Sequence, residues 1–271
     1  MSTRKYLPDT NRLGVLTATV LLTFALTHLI QTPRLTFELQ LPGFFISTPF
    51  SLNTLMILLA AGLSATGMDW LLRGHPSLGD KPTIEFWVLP TLSALIIGMP
   101  LLVLPNNVTW WIGFSVGGLL LVFIFVAEYI VVDPSAPNYA FATTGLTALS
   151  YAIFLILTTT LRYGSARLFL LSPAIFIAAG LVSLRALHLR LSGHWAFAWA
   201  GGIALICTQL GASLHYWPLS PPQFGLALLG PLYALSTLAG NLLEDVPLRR
   251  ALIEPVIALA LAWGMTFFIR A

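Results

Sequence analysis

FGLALLGPLYALSTLAGNLLEDVPLRRALIEPVIALALAWGMTFFIRA, residues 224–271, reads as an apolar run, a charged turn and a second apolar run. The turn Glu244-Asp245-Val246-Pro247-Leu248-Arg249-Arg250, together with Glu254, holds five of the chain's 23 charges (13 basic, 10 acidic). An apolar hairpin closed by a short charged turn recurs through most of the sequence. Residues 86–127 and 191–243 contain no Asp, Glu, Lys or Arg at all.

Of the 271 residues, 57% are hydrophobic and 8% charged, against about 25% charged in an ordinary soluble domain. A water-soluble surface cannot be built from so few charges, whereas lipid wets an apolar exterior. Backbone N–H and C=O groups find no partner in hydrocarbon, so a spanning chain must be helical, at about 20 apolar residues per span. The expectation is an all-α polytopic transmembrane bundle, a single integral membrane domain over residues 1–271.

Nine spans are predicted, with eight or ten as the neighbouring counts: residues 13–30, 52–72, 84–104, 108–132, 139–161, 168–187, 195–215, 223–243 and 251–269. The turn residues Pro105-Asn106-Asn107, Asp133-Pro134, and Trp217 to Pro222 mark the breaks. Arg4, Lys5 and Arg12 precede the first run, which is longer than a signal-peptide core and is read as a retained span. Residues 31–51 form an outer loop, where Leu35 to Leu41 alternate apolar and polar before Pro42-Gly43; this predicts a short β-hairpin on the outer face, against an irregular interfacial loop. With the N-terminus inside, nine Lys/Arg fall on the inner side and four on the outer, giving an N-in, C-out chain. Arg162 and Arg167 sit awkwardly on a short outer loop. In a bacterium the location would be the inner (cytoplasmic) membrane.

Most acids have a cation four residues away, as in Asp69/Arg73, Asp245/Arg249 and Arg250/Glu254, the spacing of one helix face, although Pro247 interrupts the middle pair and makes a turn contact the alternative there. Solvated helix ends explain these. Glu128 and Arg185 differ: each lies one turn inside a span with no local counter-charge. Charges in a span face the bundle interior and seek partners, so the two are expected to approach one another as a structural ion pair.

Other polar residues are sparse. Thr143, Thr147 and Ser150 share one face of the fifth span, Gln209 is the polar point of the seventh, and Asn241 lies on the eighth. Small polar residues ordinarily hold helices together. Gln209, Thr143 and Asn241 are the residues that would line a solute path. His28 and His215 lie near the outer ends of two spans; they would be the ligands of a haem or flank a quinone, but an interfacial histidine bonded to water or a carbonyl is the simpler reading of each. His188 and His194, six apart, do not share a helix face. The single cysteine, Cys207, rules out an intramolecular disulfide and a cysteine metal motif.

No nucleophile elbow, zincin motif, Walker loop or dinucleotide fingerprint occurs, and no basic patch with aromatics points to nucleic acid. The sequence names no cofactor. The leading expectation is a non-enzymatic accessory or structural subunit packed against membrane lipids and other membrane subunits. A carrier for a neutral or lipid-like solute follows, then a haem- or quinone-associated redox subunit. A lipid-modifying enzyme comes last and would need a cleft holding Glu128 and Glu254. A continuous polar cavity around the solute-path residues favours the carrier; a solid apolar core favours the subunit.

Overall fold

The computed structural model describes residues 7–30, 35–41, 44–50, 52–79, 82–105, 107–191 and 193–268, with the backbone alone for the strands and Phe267. Pro42-Gly43, Lys81 and Asn106 lie outside the described residues. In chain order the elements are α1 (Thr10–Leu29), β1 (Leu35–Leu41), β2 (Phe44–Phe50), α2 (Leu52–Leu72), a 3-10 turn (Ile84–Phe86), α3 (Val88–Val103), α4 (Val108–Val131), α5 (Tyr139–Tyr163), α6 (Leu168–Arg190), α7 (Phe197–His215), α8 (Pro221–Leu243), α9 (Leu248–Ala251) and α10 (Ile253–Phe268). Among the described residues, eight helical segments of 19 to 25 residues are long and apolar enough to cross a membrane. The two strands pair antiparallel, from Leu35 opposite Phe50 to Leu41 opposite Phe44.

The last helical region is where the predicted boundaries change most. The expected continuous run from residue 251 is instead α9, an interruption at Leu252, and α10. Pro255 is the cause: it has no N–H for the Ala251 carbonyl, and its ring clashes with a helical carbonyl four residues back. The described part of α10 has 16 residues.

The chain divides into two compact units, residues 1–136 and 137–271. In the first, α1, α2, α3 and α4 pack around a core that includes Phe24, Met68, Leu71, Trp110, Leu121 and Phe125. Two of its buried hydroxyls bond within their own helices: Thr27 Oγ1 donates to Phe24 O (2.7 Å) and Ser93 Oγ to Leu89 O (2.6 Å). Polar ties between elements lie at the helix ends. Arg12 Nη1 donates to Trp70 O (3.3 Å), and Asp69 accepts from Arg73 Nε (2.7 Å) and from Thr83 Oγ1. After α2, the buried His75 accepts the Ser77 N–H at Nδ1 (3.1 Å), while Ser77 Oγ donates to Asp133 Oδ2 (3.1 Å). Burial holds the His75 imidazole below its ordinary pKa, with Asp133 pulling the other way.

In the second unit α8 is the central helix, touching α5, α6, α7 and α10. Ser220, Pro221 and Gln223 start it: Gln223 Oε1 accepts the Ser220 N–H (2.8 Å), and proline is suited to the first turn. Gly230 permits close approach to α10, since a Cβ there would lie 2.8 Å from Ala262 Cβ. Arg162, at the end of α5, donates to the carbonyls of His215 and Trp217 (both 2.8 Å). This arginine thus closes the turn after α7 rather than standing free, which accounts for a positive charge on that short loop.

Candidate functional site

The second unit has one end where α6 and α8 finish and where α5 and α10 begin. A cavity of about 420 Å³ lies there. Its walls come from four helices. On α5, Thr143, Thr147 and Tyr151 recur every fourth residue and share a face. On α8, Tyr233, Ser236 and Thr237 share a face at three- and four-residue spacing, and the stripe continues to Gly240 and Asn241. The last turn of α6 contributes Leu187, Leu189 and Arg190, and α10 contributes Glu254.

Arg190 is the anchor of this end. Its Nε and Nη2 donate to Glu244 Oε1 and Oε2 (both 2.7 Å), and Nη2 also donates to Asn241 Oδ1 (2.7 Å). The side-on fork fixes the guanidinium plane, as paired carboxylate bonds do. Donation from Arg190 holds the Glu244 carboxyl below its ordinary pKa, against partial burial. The guanidinium can lie this close to α8 because residue 240 is glycine. A Cβ there would come within 2.7 Å of Arg190 Nη1.

Asn241 connects this anchor to the helix break. Its Nδ2 donates to Ala251 O (3.0 Å), the carbonyl that Pro255 leaves without a helical donor. A single buried amide therefore satisfies Arg190 on one side and an orphaned backbone group on the other. That positions α10 so that Glu254, in its first turn, lies against Tyr233, whose hydroxyl donates to Glu254 Oε1 (2.8 Å). The Tyr151 and Tyr233 rings meet edge to face with centroids 5.3 Å apart.

Of the residues expected to line a solute path, Thr143 lines the cavity and Asn241 supports it through Arg190. Gln209 lies exposed on α7, outside the lining, with its backbone carbonyl accepting from Ser213 Oγ (2.9 Å). Glu128 is buried on α4 in the first unit and Arg185 is buried on α6 in the second. His28, on α1, lies tilted against the Trp110 ring (4.1 Å between centroids); His215, at the end of α7, meets the edge of Tyr216 (5.3 Å). Among the described residues no group of three or more His, Cys, Asp or Glu side chains could hold a metal ion.

Two of the expected four-apart pairs do not form. The left-handed Asp245 (φ 57°) ends α8, so Asp245 and Arg249 are not on one helix. Arg250 and Glu254 likewise form no ion pair, and Glu254 takes Tyr233 as its partner instead. The sequence pattern places Glu254 at a solvated helix end and leaves Arg190 beyond the predicted sixth span, and it does not single out Tyr151 or Tyr233. The signal available was the α8 stripe at 233, 236, 237, 240 and 241, polar or small at helical spacing beside a proline-broken helix.

Eight apolar helices, with polar side chains gathered at one end of one unit, define a helical membrane-embedded protein. Within that class, the chain belongs to the DUF5656 family, described as a protein of unknown function, which matches residues 32–269. No curated protein and no solved structure matches the chain.

Proposed function

We propose that the protein binds a lipid-like amphiphile, taking its polar end into the cavity of the second unit. The observation that carries this reading is the cavity's mixed lining. Thr143, Thr147, Tyr151, Arg190 and Glu254 face the same space as Leu187, Leu189 and Ala148. A volume of about 420 Å³ falls within the range of small-molecule sites, about 300–1,000 Å³. A site at helix ends lies at the level of lipid headgroups, where polar and apolar requirements meet. This reading is the binding step of a carrier; an accessory subunit held by apolar packing alone would have no use for such a site.

In the same reading the chain crosses the membrane nine times, N-in and C-out, with α10 as the ninth span and the strand pair on the outer side. The Lys/Arg asymmetry supports this, and Arg162 is occupied by backbone carbonyls rather than acting as a free outer charge. The cavity then opens toward the inner leaflet, the cytoplasmic one of a bacterial inner membrane. A cysteine placed at Asp245 in a Cys207→Ser background should react with an impermeant thiol reagent only from the cytoplasmic side. Labelling from outside would reverse the orientation.

The binding itself is tested by native mass spectrometry of protein released gently from its own membrane. The wild type should carry lipid-sized adducts. Ala148→Trp, which fills the cavity from its exposed rim, should lose them while keeping its helix content. Equal adducts on both proteins would end the proposal.

A further inference from the structure

We infer that the headgroup taken by this cavity carries a protonated primary amine; the inference rests on the reading of the cavity as a lipid site. The argument begins with where the protons go. A hydroxyl has one proton to donate and two lone pairs to accept with. Thr143 Oγ1 donates to Tyr139 O (3.0 Å), Thr144 Oγ1 to Ala140 O (2.8 Å) and Thr147 Oγ1 to Thr143 O (2.9 Å). Tyr233 gives its proton to Glu254. These groups therefore turn lone pairs, not protons, toward the cavity.

The charges agree with the protons. Arg190 is the cation of the lining, and Glu244 takes up its charge through two bonds at 2.7 Å. Glu254 makes no ion pair among the described residues; one of its oxygens holds the Tyr233 hydroxyl, and the other is free to accept. Arg190 attracts Glu254 only at longer range, so the lining keeps a carboxylate bonded to no cation and, in its threonines and Tyr233, a surplus of acceptors.

Those two surpluses select the ligand. An anionic end would set lone pairs against lone pairs and leave desolvated acceptors unpaired, a costly outcome. A sugar or glycerol end brings donors but no charge. A quaternary ammonium brings charge but no N–H. A primary ammonium brings one positive charge and three donors together. The Tyr151 and Tyr233 rings in the same lining add the attraction of aromatic rings for a cation. Arg249 and Arg250, exposed on α9 just before Glu254, offer cations at the same end for a phosphate beside the amine. A phospholipid with an ethanolamine headgroup has this composition.

The test uses the full-length protein in nanodiscs made of equal amounts of phosphatidylethanolamine and phosphatidylcholine. Lipids that stay bound after release from the disc are counted by native mass spectrometry. The wild type should retain the ethanolamine lipid well above its bulk share. Glu254→Gln, which keeps the shape and the Tyr233 contact, should lower that preference about tenfold, the scale of one charged hydrogen bond. Glu254→Asp should keep much of it. A preference unchanged in Glu254→Gln, equal retention of both lipids, or preference for the choline lipid would overturn the amine assignment. If those results came with fewer bound lipids in Ala148→Trp, the lipid site would stand without the amine. If Ala148→Trp bound as much lipid as the wild type, the site itself would fall.

Discussion

The first unit and the second differ in which polar side chains tie their helices together. In the first, Thr23, Thr27 and Ser93 each return their proton to a carbonyl of their own helix. The helices then meet through apolar side chains such as Phe24, Leu121 and Phe125. In the second, Arg162, Arg190, Gln223, Tyr233, Asn241 and Trp263 all reach another element. The difference lies in the long polar side chains: in the second unit Arg190, Asn241 and Tyr233 bridge helices beside a cavity whose threonines still bond within their own helix. In a chain with so few charges, place in the fold rather than number decides whether polar residues make a site.

The comparison breaks most sharply at Asn241. Asn241→Leu removes the partner of Arg190 and leaves Ala251 O without a donor, because Pro255 cannot supply one. Leaving buried groups unpaired should cost about 3 kcal/mol, read as a lower melting temperature in detergent. Ser93→Ala in the first unit deletes a hydroxyl that serves only its own helix and should cost well under about 1 kcal/mol. Equal losses at both positions would remove the distinction between the units. Glycine substitutions give the next largest contrast. Gly230→Ala forces Cβ against Ala262 on α10 and should cost about 1–2 kcal/mol, since neither helix backbone yields easily. Gly62→Ala on α2 meets nothing within 4 Å and should be stabilising by about 0.5–1 kcal/mol through helix propensity.

Much of the fold could be read from the sequence because the bilayer makes a coarse demand. Apolar runs of about 20 residues and the turn residues between them lie close to the helices from α1 to α8. The site was less legible. The i,i+4 rule pairs Arg250 with Glu254, but the carboxylate takes the Tyr233 hydroxyl of α8 instead. Arg190 was assigned to a loop because its span was ended at Leu187, whereas α6 continues to Arg190 itself. Charge patterning identifies residues that need partners, but the partners here lie 51 and 54 positions away and come from the packing of α6 on α8. Thr143 and Asn241 were visible as polar points; that they stand at the same end of their unit follows from counting residues along helices of known direction.

The smallest expected effect tests the units through protons. His75 in the first unit has a pKa lowered by burial from its ordinary 6.5, so the folded chain binds fewer protons than the unfolded one in that range. Its contribution to stability is therefore complete above about pH 6.5 and is lost as pH falls through the lowered value. Glu244 in the second unit is lowered from 4.5 chiefly by hydrogen bonds from Arg190. Its contribution is complete above about pH 4.5 and disappears only at more acid pH. Between about pH 6.5 and pH 5, the first unit should weaken and the second should not. Hydrogen exchange of the α2 and α4 ends against the α6 and α8 ends reads this directly. His75→Gln should flatten the first response and leave the second untouched. A mildly acid loss of protection at α6 and α8 that tracks the first unit, and that His75→Gln also abolishes, would mean that the two units do not open separately.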